Sequence, residues 1–190
     1  MTKPRKEIVE KSIDPSNKER VQRTQQAAKK NLEIINMANQ RITTGSILEI
    51  NIDNQYYSYA QILQNGRGIA FFDYKTEDKL IDFSILEKCN LLFIVVVYND
   101  VITQGKWLKV GKLPIRKELE ILPMKFIQDT LIPSEFRLYN PNTGEITKAK
   151  REECDGLEYA AVWEANHVED RIRDYYLGVP NVWVNQLKIK

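Results

Sequence analysis

Hydrophobic and polar residues alternate in the middle of the chain in runs that are short enough for β-strands. Apolar residues take every second position towards the end of Ser46–Ile52, and aromatic residues take the same spacing early in Tyr56–Leu63. Period-two spacing is typical of strands with one buried face, and Asp53 and Asn54 between the runs are typical turn residues. The pattern therefore predicts a β-hairpin over residues 46–63.

The longest apolar run is Leu91–Val97, and its seven residues are too few to span a bilayer. It predicts a buried strand over residues 91–98, followed by a single helical turn over 99–105. Residues 80–86 form a weaker β-like run. Further strands are predicted at residues 69–74, 126–129, 136–139 and 157–163, with turns at 64–68 and 140–144.

The N-terminal part of the chain contains one clear helix signal. Ser16 and Glu19 have the spacing of a capping box, in which each side chain accepts a hydrogen bond from the other residue's backbone amide. Apolar residues follow at helical spacing along one narrow stripe. We therefore predict an amphipathic helix from Ser16 to about Gln40.

A second helix is predicted near the C-terminal end of the sequence. Asn166 and Glu169 again have capping-box spacing, with Asn166 as the N-cap. Gly178 has the character of a residue that ends a helix. Helical spacing predicts that one face points inward, and this face carries Val168, Ile172, Tyr175 and Tyr176.

Short strands followed by a late helix predict an α+β fold. We expect a strongly bent antiparallel sheet or a small SH3-like barrel with flanking helices, plus the N-terminal amphipathic helix. A chain of 190 residues with 43% hydrophobic residues can bury a proper core. The predicted organisation is a basic arm and helix over residues 1–42 and one α+β domain over residues 43–190.

The net charge of +2 conceals an asymmetry along the chain. Residues 1–45 contain ten Lys or Arg against five Asp or Glu, whereas the remainder has an acidic excess. A basic N-terminal helix leaves open a small nucleic-acid-binding or regulatory module as an alternative function. The predicted domain itself offers few basic residues among its aromatic strands, so nucleic acid is not the expected partner.

Few residues suit catalysis or metal binding. The single histidine, His167, has no nucleophile beside it in the sequence, and Cys89 and Cys154 lie too far apart for a zinc motif. We therefore expect no enzyme activity, no metal and no cofactor, although a hydrolase with paired carboxylates stays a third hypothesis. The N-terminus has no apolar signal segment, and with two expected free thiols the expected location is the cytoplasm.

The C-terminal segment is acidic and aromatic. Residues 152–174 contain eight Asp or Glu against two Arg. Such a surface can steer and dock a basic partner, although carboxylates are also favourable in the first turn of a helix. The candidate partner-binding residues are Glu153, Asp155, Glu158, Glu169, Asp170, Asp174 and Tyr175.

The order of several short motifs resembles the immunity protein 26 family of bacterial polymorphic toxin systems. The resemblance covers about residues 45–187 and is collinear. Its motifs are Gly45-Ser46-Ile47, Tyr57-Ser58-Tyr59-Ala60-Gln61-Ile62-Leu63, residues 70–73, Gly105 with Trp107 and Gly111, residues 126–129, 155–163 and 167–171, and Pro180-Asn181 with Trp183.

This resemblance implies a non-enzymatic cytoplasmic protein that binds a cognate toxin domain and neutralises it by stoichiometric occlusion. If the toxin is a nuclease, its phosphate-binding cleft is basic, and the acidic candidates would pair with it. Of the residues in the motifs, Trp107, Trp163 and Gly156 are expected to be structural anchors and not contact residues.

Overall fold

A computed structural model describes residues 39–190 of the chain, together with Arg23 and Gln26. Those two residues are helical and exposed. The rest of the predicted N-terminal helix lies outside the described residues, so the basic arm stays a prediction, as does the boundary at residue 42. Residues 39–190 form one compact unit.

Residues 39–190 contain ten strands and three α-helices. The strands are β1 (Ser46–Ile52), β2 (Tyr56–Leu63), β3 (Gly68–Thr76), β4 (Leu91–Val97), β5 (Leu108–Lys112), β6 (Lys125–Gln128), β7 (Phe136–Tyr139), β8 (Ile146–Ala149), β9 (Glu158–Tyr159) and β10 (Val162–Trp163). The helices are α1 (Asp100–Thr103), α2 (Ala165–Leu177) and α3 (Val182–Gln186). Single 3-10 turns occur at Gln64–Gly66, Phe83–Lys88, Lys117–Leu119 and Arg151–Cys154.

The strands form two sheets. The larger has the order β10-β4-β3-β2-β1-β5 and is antiparallel except where β10 runs parallel to β4. The smaller has the order β8-β7-β6-β9, with β9 parallel to β6. Neither sheet closes into a barrel, so the α+β class is confirmed and its open-sheet form is the one observed.

Both faces of the larger sheet are buried. On one face, Leu48 and Phe71 pack in the same cluster as Val168 and Ile172 of α2. On the other face, Ile47, Tyr59 and Phe72 pack around Leu86 of the 3-10 turn Phe83–Lys88. Because both faces of the sheet pack against apolar residues, β1 has apolar side chains on both faces. Leu48 points into one core and its neighbour Ile47 points into the other.

The predicted hairpin is confirmed. Ile52 pairs with Tyr56 across the turn. Asp53 and Asn54 both have positive φ angles, 53° and 57°. Turns of this kind match the twist of the two strands, and Asp and Asn tolerate the left-handed conformation better than most residues.

The weaker run at residues 80–86 is not a strand, which corrects the prediction. It leads into the 3-10 turn Phe83–Lys88, where the Asp82 carboxylate accepts hydrogen bonds from the amide and the hydroxyl of Ser84. An Asp-x-Ser pair of this kind stabilises a turn start and competes with sheet pairing. Leu86 is still buried, because the turn covers the second face of the large sheet.

The single strand predicted over residues 157–163 is also wrong in detail. The chain pairs with the small sheet as β9, then with the large sheet as β10. Between them, the Ala160 amide still donates to the Phe126 carbonyl at 2.8 Å. A continuous apolar pattern cannot show this crossing, since both short strands are partly buried in either case.

Helix α2 differs from its prediction at its first turn and on one face. Glu164 is the N-cap and Asn166 lies inside the helix, so the expected capping box is absent. Glu169, its predicted second member, instead accepts a hydrogen bond from the Trp107 indole. Tyr175 is 52% exposed instead of inward. The expected end at Gly178 is confirmed, with φ 70°.

A tight turn before β1 yields a first testable prediction. Gly45 and Gly144 both have positive φ angles, 85° and 81°, so alanine costs about 1–2 kcal/mol at either position. A Cβ at Gly45 would also lie 2.8 Å from the Leu113 carbonyl oxygen, whereas no atom lies within 4 Å of one at Gly144. In urea unfolding, we expect Gly45→Ala to lose at least about 1 kcal/mol more than Gly144→Ala. Equal losses would contradict this close approach.

Candidate functional site

The acidic candidate Glu158 forms a partly buried ion pair. Its two carboxylate oxygens accept from both terminal nitrogens of Arg171, at 2.6 and 3.2 Å. The guanidinium also lies over the rings of Phe93 and Trp163, with its carbon 3.9 and 5.1 Å from the ring centroids. A bidentate, stacked arginine is strongly oriented. Glu158 therefore joins the small sheet to α2.

Glu169 joins α2 to the segment before β5. Its carboxylate accepts from the indole nitrogen of Trp107 at 2.9 Å and pairs with Lys106 at 3.0 Å. Trp107 is 1% exposed and meets the ring of Phe71 edge-on. The position of Trp107 is therefore that of a core residue whose polar atom has a partner.

Asp170 is the centre of a third network, which reaches the β1–β2 turn. It accepts from the indole nitrogen of Trp183 at 2.9 Å and from Arg173 at 2.6 Å. Arg173 also forms a bidentate pair with Asp53. The hydrogen bonds that Arg173 donates to Asp53 and Asp170 raise the pKa of the guanidinium above its usual value. This network ties α3 and the hairpin turn to α2.

The network around Asp170 predicts a pH effect on stability. Burial raises the pKa of Asp170, but the hydrogen bonds from Trp183 and Arg173 outweigh burial and leave it below the ordinary 3.8. A lowered folded-state pKa means that this stabilisation is present above the unfolded pKa and is lost as the pH falls through the folded one. We expect Asp170→Asn to flatten the fall in unfolding free energy between about pH 5 and pH 2.

The matched control for this pH profile is Asp155→Asn. Asp155 is exposed, and its carboxylate accepts no hydrogen bond from any described residue. Its variant should retain the acid dependence of the parent chain when urea unfolding is measured at each pH. An Asp170→Asn profile parallel to that of the parent would contradict the role given to this carboxylate.

The remaining acidic candidates differ in whether their carboxylates already accept a hydrogen bond within the chain. Asp174 accepts from the side-chain amide of Asn181 at 2.8 Å, and Glu153 accepts from the Lys150 amide at 2.7 Å. Only Asp155 among the six acidic candidates is exposed without such a bond in residues 39–190. Most of the predicted acidic residues therefore form hydrogen bonds or ion pairs that hold α2 and α3 in place.

A groove of about 640 Å³ lies where the hairpin turn, the end of β3 and the end of α2 meet. We call it the tyrosine groove. The rings of Tyr56 and Tyr176 meet edge-on in it, with their centroids 5.9 Å apart, and the Lys75 ammonium lies 5.3 and 4.5 Å from them. Its lining consists of Asp53, Gln55, Tyr56, Lys75, Thr76, Glu77, Arg173, Tyr176 and Leu177.

The electrostatics of the tyrosine groove are balanced. Burial, followed by the nearby Asp73 carboxylate, raises the pKa of Tyr176 well above its usual value, so the ring is neutral. Tyr56 is also neutral, because burial raises its pKa as well. Two acidic and two basic side chains line the groove. Its surface is therefore aromatic and polar, without a strong charge of one sign.

Apolar side chains in the groove and beside it are exposed. Tyr175 is 52% exposed and Leu177 is 67% exposed. The Tyr175 hydroxyl donates a hydrogen bond to the Asp73 carboxylate at 3.0 Å. Val179, in the connection to α3, and Val182, the first residue of α3, are also about half exposed. Clustered exposed apolar residues, with tyrosine and arginine among them, are typical of protein-interaction surfaces.

The sequence indicated only part of this surface. Tyr175 was among the candidates, but Tyr56 and Lys75 were not, and Tyr176 was expected to face only the core. The signal for Tyr56 was the aromatic start of the second hairpin strand. What no pattern contained is the contact of Arg173 with Asp53, since those residues are 120 positions apart.

The other singled-out residues have local roles. Trp163 is 3% exposed. Gly156 has φ 77° in an exposed turn before β9, with no atom within 4 Å of a Cβ placed there. His167 stacks on Trp183 with ring centroids 3.5 Å apart. Both cysteines are free, and within the part of the chain that the structure describes no group of acidic, histidine or cysteine side chains could hold a metal ion.

Comparison with known proteins gives a family match. The model of the family described as Immunity protein 26 matches residues 43–137, which is half of the chain and contains β1 to β6. No curated protein and no solved structure matches the chain significantly. None of the helices within the described residues is long and apolar enough to cross a membrane.

Proposed function

Because the chain belongs to the immunity protein 26 family, we propose that it binds a cognate bacterial toxin domain and neutralises it by stoichiometric occlusion in the cytoplasm. The family match is the observation that carries this proposal. Immunity proteins are generally non-enzymatic, so the function requires a binding surface and no catalytic group. The partner is therefore a protein.

The surface that best supports toxin binding is the tyrosine groove, which includes Leu177, with its neighbour Tyr175. Interface anchors are typically aromatic or arginine side chains at positions that a partner can cover and dehydrate. Tyr56 and Tyr176 already hold each other in place, so little side-chain freedom would be lost on binding. The groove is thus organised before the partner arrives.

The acidic candidates contribute to this proposal in a narrower way. A nuclease toxin would present a basic cleft, and Asp155 with the exposed Glu153 could meet it. Glu158, Glu169 and Asp170 bond instead within the chain. Charge reversal at those three would disturb the fold, so a test of charge steering belongs at Asp155.

Co-expression tests the proposed function. Candidate toxin domains encoded beside the gene for this chain would be expressed in bacteria with and without it, and complexes would be purified and weighed by light scattering. We expect restored growth and a one-to-one complex for the cognate toxin. Toxicity that persists although both proteins are soluble, with no complex formed, would contradict the proposal.

A further inference from the structure

A second cavity, of about 620 Å³, opens between the two sheets. The ends of β4 and β10 form one wall, and β6 and the turn after β7 form another. We call it the inter-sheet cavity. Its lining includes polar side chains that can donate hydrogen bonds, namely Arg67, Tyr98, Asn99, Lys125, Tyr139 and Thr143.

Lys125 is the unusual member of this lining. It lies in β6 and is 3% exposed. Its ammonium donates to the Ile94 carbonyl oxygen at 3.1 Å, and this is its one hydrogen bond to the described residues. An ammonium has three hydrogens to donate, so two of them are left over. A buried lysine with unused donors beside an open polar cavity calls for a further acceptor.

The charges around Lys125 do not balance. Glu158 is its partner in the β6–β9 register. Burial lowers the pKa of Lys125, the Glu158 carboxylate opposes that shift, and the nearby Arg171 adds to it. Both oxygens of Glu158, however, are already bonded by Arg171. Lys125 and Arg171 therefore share one carboxylate, and the buried Lys125 ammonium is left without a carboxylate of its own. Buried charge is unfavourable unless it is paired, so the site favours an incoming anion.

We propose that the inter-sheet cavity binds a small oxyanion, a phosphate or carboxylate group, which accepts hydrogen bonds from Lys125 and is held at the rim by Arg67. Arg67 is exposed and lines the same cavity. Lysine and arginine are the usual phosphate and carboxylate binders of proteins, and their bonds to oxyanions are charge-assisted. This site is separate from the tyrosine groove, and the two share no lining residue.

Titration of the full chain with inorganic phosphate, and separately with citrate, tests the inference without any toxin. Ionic strength would be kept constant with chloride, and binding would be followed by calorimetry and by NMR of the lysine side chains. We expect one saturable site with either or both anions, and the tighter one assigns phosphate or carboxylate as its ligand class. No saturable binding of either anion would overturn the inference.

Two variants place the bound anion. Lys125→Met and Arg67→Gln should each weaken binding by at least about tenfold. Lys148→Met is the matched control, because Lys148 is 78% exposed and pairs with Glu135 outside the cavity. If Lys125→Met does not fold, Arg67→Gln alone tests where the anion binds, because the Arg67 side chain is exposed and its replacement leaves the core intact. Unchanged affinity in Arg67→Gln and in every folded Lys125 variant would place the anion elsewhere and overturn the assignment.

Discussion

Replacing Trp107 with alanine is expected to lower the free energy of unfolding by about 3–5 kcal/mol. The indole is 1% exposed, packs edge-on against Phe71 and donates to Glu169. Removing it leaves a large cavity in the main core, and the partly buried Glu169 carboxylate loses a donor. Such a loss is a large part of the stability of an ordinary domain. Urea unfolding followed by circular dichroism would measure it.

Trp183→Ala is the matched control for this measurement. Its indole also donates to a carboxylate of α2, at 2.9 Å, but the ring is only partly buried and stacks on His167. We expect its loss to be about 1–2 kcal/mol. If Trp107→Ala is unfolded altogether, Trp107→Phe supplies a measurable intermediate. A loss below about 1 kcal/mol in Trp107→Ala would contradict its role as a core anchor.

Truncating Tyr175 and Leu177 together to alanine is expected to weaken toxin binding by at least about 30-fold, which corresponds to about 2 kcal/mol. Both side chains are more than half exposed, so the change removes contact area for a partner while the core stays intact. The unfolding free energy should therefore stay within about 0.5 kcal/mol of the parent value. Calorimetry with the purified cognate toxin would measure the affinity.

The control for this double variant lies in the β6–β7 connection. Leu131 and Ile132 are 90% and 56% exposed there, and neither lines the tyrosine groove. Leu131→Ala with Ile132→Ala removes a similar apolar area, yet we expect it to leave the affinity unchanged. The opposite result would be weakened binding in the control and unchanged affinity in the Tyr175 and Leu177 variant. That result would move the interface to the β6–β7 connection.

The hydrophobic pattern along the sequence was enough to predict the hairpin, the buried strand β4 and the short strands β6 and β7. The side chains of the hairpin alternate between two environments and those of β4 are apolar throughout, so the pattern reports these strands directly. The α1 turn and the end of α2 at Gly178 also follow from local chemistry. These elements are the ones whose conformation is decided by neighbouring residues.

Elements that depend on distant partners escaped prediction. Strand β5 has the sequence Leu108–Lys112, with a glycine and two lysines, and it becomes a strand by pairing with β1, about sixty residues earlier. The split of residues 157–163 between two sheets has the same cause. Sequence pattern records which residues are apolar, but it does not record which strand lies beside them.

The charge contacts of the candidate site could also be predicted only in part. Composition identified the acidic segment correctly, but it could not show that Arg171, Arg173 and two tryptophans bond to those carboxylates. Only the contact between Asp170 and Arg173 has helical i,i+3 spacing and could have been read from the sequence. The others join residues that the fold brings together.

Hydrogen–deuterium exchange of the chain alone and in its toxin complex tests the central claim most directly. The proposed interface predicts that toxin binding slows exchange at residues 53–56, 73–77 and 173–179, which surround the tyrosine groove. The β6–β7 connection over residues 129–135 should exchange at the same rate in both states. Protection of that connection, with unchanged exchange around the groove, would contradict the proposed toxin-binding surface.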